Sequence, residues 1–145
     1  MAFQFSLSTV LRVRGIVEER EERMLQKILF EITLAQEALA RADADIAGSD
    51  SARSADVFKP FIGRNLHASY GEAQALKEFR ESLVSQIEKL EQLRDRQRIV
   101  YEGERRNREM LTDMREEKRG VYESDLARRE QNTLDDNYIA RRGRF

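Results

Sequence analysis

A run of apolar residues at alternating three- and four-residue steps constrains this chain more than any other feature. Leu25, Ile28, Ile32, Ala35, Leu39, Ala42 and Ile46 follow that ladder with no polar member. The repeat averages 3.5 residues, slightly tighter than the 3.6 of a free α-helix. It stays on one face only if the helix wraps left-handedly around a partner. The ladder therefore predicts a coiled coil and excludes a strand, whose side chains alternate with period two. Upstream, Val10, Val17 and Met24 keep a seven-residue spacing in a different phase. That offset predicts a shift of the buried stripe between Met24 and Leu25.

A second ladder begins at Leu76 and continues through Phe79, Leu83, Gln86, Leu90 and Leu93. Beyond them the same steps reach Gln97, Val100, Glu104, Asn107, Leu111, Met114, Lys118, Val121 and Asp125, so the seam decays from about Gln97. Between the ladders, Gly48 to Asp56 reads GSDSARSAD, small and polar, which is a loop signal. VFKPFIGRN follows, with the only proline, Pro60, between Phe58 and Phe61. Asp56 suits a helix cap before Val57, with Pro60 in the tolerated first turn. Ser69 and Glu72 make a capping box that suits a start near 70. Both starts stand at this point. The expected fold is all-α, a long antiparallel two-helix coiled coil with a longer second helix, forming one elongated domain over residues 1–145. Helix one is expected over about 8–47, the loop and hairpin tip over 48–69, with or without a short helix from 57, and helix two over 70–130. The C-terminus is expected to fray from about Thr133, where Asn137 and Gly143 weaken helix propensity.

Those lengths predict an overhang. Helix one would measure about 60 Å and helix two about 90 Å at ~1.5 Å per residue. A reversal around residue 52 pairs residue i with roughly residue 104 minus i, and places Ile32 near residues 70–74. Partners then run out near Gln97, and the helix beyond is expected to protrude. Its Arg105, Arg108, Met110, Leu111, Met114, Arg115, Val121 and Tyr122 become candidate partner-binding residues, since Met adapts to a protein surface and Arg forks onto carboxylates. At the tip, Phe58 and Phe61 either cap the coiled coil or contact a partner.

Composition narrows the function classes. Charged residues are 37% of the chain and hydrophobic ones 40%, a balance typical of helices that bury one stripe and solvate the rest. Without cysteine there is no disulfide, thiol catalysis or thiolate metal site. His67 is the only histidine and is expected at the surface. Carboxylate pairs such as Glu18/Glu22 and Asp113/Glu117 read as solvated faces, and the glycines form no phosphate loop. No enzymatic activity and no cofactor are expected. A net charge of −1 argues against a nucleic-acid partner. The opening MAFQFSLSTVLRVRG lacks a basic leader, and Arg12 and Arg14 interrupt its apolar run, so a cytoplasmic location is expected.

The opening FQFSLSTVLRVRGIVEEREER is similar to the start of the flagellar export protein FliJ family: an aromatic, Phe-Ser-Leu, a short apolar turn and an Arg/Glu-rich helix. The end, RREQNTLDDNYIARR, resembles that family's closing pattern, with Asn132, Asn137 and Tyr138 as departures. The resemblance implies a non-enzymatic component of the flagellar type III export apparatus, built like the central stalk of rotary ATPases. It implies three partners: the hexameric export ATPase, the cytoplasmic domain of the export gate protein, and export chaperones. Location would be cytoplasmic and peripheral to the inner membrane through those partners. The equivalent stalk of virulence type III secretion shares the architecture, and a self-associating coiled-coil scaffold is the alternative outside the family.

Overall fold

The computed structural model describes residues 2–56 and 63–144, and the side chains of all of these except 55, 56 and 63–67. The fold is all-α, a two-helix antiparallel hairpin. Helix α1 runs from Ser8 to Asp56 and the longer α2 from Gly63 to Arg142. No helix among the described residues is long and apolar enough to cross a membrane.

Both helices exceed their expected bounds. The stretch expected as a loop, 48–56, is helical. Ser49 and Arg53, both half-buried, continue the inward steps that pass through Ala42 and Ile46. Arg53 pairs with Asp50 one turn away, and the Ser54 hydroxyl donates to the Asp50 carbonyl. Small polar residues have weak helix preference, and a seam that continues through them overrides it. At the other end, α2 is helical from Gly63, and Ser69 and Glu72 lie inside it without a break, so it does not begin near 70; the expected start at Val57 lies outside the described residues. The expected fraying from Thr133 is also absent, as α2 continues to Arg142. Gln131 pairs with Asp135 along that last stretch. Pro60, Phe58 and Phe61 lie outside the described residues.

Packing groups the chain into two units, each drawing on both helices. One comprises residues 22–100. Its core is apolar: Ile32 and Ala35 of α1 pack with Ile87 and Leu90 of α2, flanked by Ile28 and Leu39. The α1 ladder from Leu25 to Ile46 is the inward stripe, as its spacing requires. The register differs from expectation. Ile32 meets Ile87 and Leu90 rather than residues 70–74, and Asp43 pairs with Arg80. A reversal centred near residue 52 forbids both contacts. With α1 extended through Asp56 the turn comes later, and each α1 residue meets α2 further along.

The phase of α2 differs as well. Ala73, Leu83, Ile87 and Leu90 are buried while Phe79 and Leu93 are exposed, so the stripe passes through Ile87 where the expected ladder took Gln86. Half of the expected positions are shared between the two ladders, and the other half move by one residue.

The other unit comprises residues 1–21 and 101–145. No shift of stripe occurs near Met24: the four-three steps back from Leu25 pass through Glu21 and Glu18 to Leu11 and Leu7, while Val10 and Met24 are exposed. This seam is therefore substantially ionic. Glu21 is buried, Glu18 pairs with Arg108, and Arg14 pairs with Glu104 at 3.4 Å. Ahead of α1, a turn closed by Ser8 N–H on the Phe5 carbonyl sets two aromatics against α2. Phe5 is buried beneath the Lys118 ammonium, and the Phe3 ring lies 5.5 Å from that of Tyr122.

Candidate partner-binding surface

The ten candidate residues divide by what the fold already does with them. Arg108 is half-buried and donates from Nε to Glu18. That hydrogen bond is the main reason its guanidinium holds its proton more tightly than usual. Leu111 and Arg115 are half-buried in the same unit, and the Tyr122 ring packs tilted against that of Phe3. These four belong to the seam between α1 and α2. The expectation that α2 is unpaired from about residue 98 is thereby corrected: α1 and the segment before it accompany α2 as far as Tyr122. The longer α1 and the later turn account for the difference.

Three apolar candidates do face outward. Met110 is 60% exposed, Val121 is 58% exposed, and Met114 lies at the margin of exposure. Met114 and Val121, with Glu117 and Lys118, line a hollow on one face of α2. Arg105 is exposed and paired with Glu109 one turn on; that hydrogen bond is the first cause of its raised proton affinity. Phe58 and Phe61 lie outside the described residues, as does the His67 side chain.

The protrusion expected beyond Gln97 is found beyond Tyr122, but sequence reasoning named no candidate partner-binding residue there. Every residue from 123 to 144 is exposed, including Leu126, Leu134, Tyr138 and Ile139. Arg129 lines hollows beside Leu126 and Leu134, and Arg142 lies over the Tyr138 ring at 5.7 Å. Leu126, Leu134 and Tyr138 are off the three-four ladder, and the ladder as read ends at Asp125, so a heptad search passes over them. Exposed apolar side chains on a helix already shown to be continuous are the signal that finds them.

Chemically, the surface offers apolar side chains between guanidinium and carboxylate groups, which suits contact with another protein. Among the described residues no group of three His, Asp or Glu side chains is placed to hold a metal ion. Comparison with protein-family models, with curated proteins and with solved structures finds no match to this chain.

Proposed function

We propose that this chain is a non-enzymatic stalk and adaptor of a flagellar type III export apparatus. In this reading it seats in the hexameric export ATPase and contacts the export gate and export chaperones. The observation that carries the reading is the stretch of α2 beyond Tyr122, helical to Arg142 and exposed throughout, with Leu126, Leu134, Tyr138 and Ile139 uncovered. Most helical stability in proteins comes from tertiary packing, which these exposed side chains lack, so their burial in a partner would stabilise the stretch. Two further features support the reading. The Phe-Ser-Leu element that resembles the family's start lies where Phe3 and Phe5 pack on α2, and the Leu-Asp-Asp element of the resemblance falls within the exposed stretch.

The test is binding to, and stimulation of, a purified export ATPase by the full chain and by a chain truncated after Tyr122. Stimulation by the full chain and its loss on truncation is the expected result. Equal binding by both chains, or none by either, overturns the proposal. The exposed Leu126, Leu134, Tyr138 and Ile139 also favour a second reading, a self-associating scaffold. Sedimentation separates the two: a monomer fits the stalk, and an obligate dimer abolished by the same truncation fits the scaffold.

A further inference from the structure

Within the unit of residues 22–100, the side of α2 just off the seam is apolar and uncovered. Phe79, Leu93 and Val100 stand one residue before the inward positions, and all three are about half exposed. Met24 holds the same relation to the inward Leu25 on α1 and is 49% exposed. In an antiparallel pair the residues that precede the seam on both helices lie along the same flank. Together they form an apolar groove. One step further out on that flank lie Lys27, Leu34 and Arg41 on α1, and Lys89 and Arg96 on α2. Leu34 is exposed, and among the described residues none of the four cations takes part in an ion pair or hydrogen bond. The groove thus has cations along both rims. Glu31, half-buried, and the exposed Asp45, which precedes Ile46 at the Phe79 end, are the acids at these positions of α1 from Met24 to Asp45. Gln86 holds the corresponding position on α2, between Phe79 and Leu93.

The opposite flank has the reverse charge. Glu22, Asp43, Glu81, Glu88 and Asp95 lie there, with Asp43 taken by Arg80. Opposite flanks of opposite charge raise the question of a second copy, acidic flank against basic groove. That flank lacks the ridge needed to fill the groove: Leu29 is its exposed large apolar residue, with Val84 half-buried. Charge without an apolar ridge makes a weak contact, since exposed ion pairs are screened by solvent and salt and contribute little.

We infer that the flank lined by Met24, Leu34, Phe79, Leu93 and Val100 is the docking groove for an amphipathic helix of another protein, one whose apolar stripe is bordered by Asp and Glu. Such a helix completes a third strand of the coiled coil. Its apolar side chains cover Phe79 and Leu93, while its carboxylates reach Lys27, Arg41, Lys89 and Arg96. The inference does not rest on the stalk reading.

The test uses the full chain and a synthetic helix of about three heptads with Leu at its seam positions. One version carries Glu beside the seam and the other carries Lys. Binding is read by fluorescence anisotropy at low and high salt, and circular dichroism confirms that each variant stays folded. Expected is binding of the Glu version at least tenfold tighter than the Lys version, weakening with salt. Leu93→Gln should abolish binding, and the double variant Lys89→Glu, Arg96→Glu should reverse the preference. The inference is overturned if neither peptide binds. It is equally overturned if the double variant leaves the preference unchanged, or if Leu93→Gln instead dissolves a dimer of the free chain.

Discussion

Truncating Ile32 to alanine tests the register directly. Ile32 is 5% exposed and packs with Ala35, Ile87 and Leu90, with Ile28 and Leu39 alongside. Removing three buried carbons at such a site costs about 2–5 kcal/mol, the spread reflecting how far neighbours relax into the space. A two-helix seam has no third layer behind it, so water and side chains re-enter the gap and the lower half of that range is expected, about 2–3 kcal/mol. Leu34→Ala, two residues on but 45% exposed, is the control and should cost less than ~1 kcal/mol. Ile87→Ala completes a double-mutant cycle. Residues in contact couple by about 0.5–3 kcal/mol, whereas distant pairs add within ~0.5 kcal/mol. Urea unfolding followed by circular dichroism at fixed protein concentration supplies all four values. A cycle in which Ile32 and Ile87 are strictly additive while Ile32 couples to a residue near 72 would show that the turn and the register are misplaced. Equal losses from Leu34→Ala and Ile32→Ala would refute the buried stripe itself.

The ionic seam makes a second prediction. Arg108→Ala leaves Glu18, whose side chain is 13% exposed, without its donor, and should cost about 1–3 kcal/mol, partly restored by the exchange of Glu18→Arg with Arg108→Glu. Because the Arg108 guanidinium is shifted upward, its contribution is complete below the ordinary arginine range and lost only above it. Raising the pH from about 7 to 10 should therefore leave the cost of Arg108→Ala unchanged, and a cost that shrinks over that window would contradict the pairing. Gly120 is a third case. It lies inside α2 with nothing within 4 Å of an added Cβ, so Gly120→Ala should raise stability by about 0.5–1 kcal/mol through helix propensity alone. A loss of stability in the free chain would reveal a close neighbour there.

Much of the fold was legible in the amino-acid order because it is a property of each helix taken alone. The apolar steps from Leu25 to Ile46 define a stripe whichever partner covers it, and the second ladder identifies another helix. Those two facts suffice for an all-α antiparallel pair with unequal arms. The choice of stripe on α2 was not local. Phe79, Leu93, Val100, Met114 and Val121 are individually more apolar than Arg80, Arg94, Tyr101, Arg115 and Tyr122, so a count of hydrophobic residues selects the wrong one. The paired helix decides otherwise. Asp43 and Glu18 of α1 meet Arg80 and Arg108, Phe3 meets Tyr122, and the long arginine stems cover the seam while their heads reach carboxylates. Complementarity exists only between two surfaces, and neither sequence segment displays it alone. The turn follows the same logic: residues 48–56 read as a loop by themselves, and α1 continues through them because its seam does. From that later turn come the register, the point at Tyr122 where pairing ends, and which apolar side chains are left for another molecule.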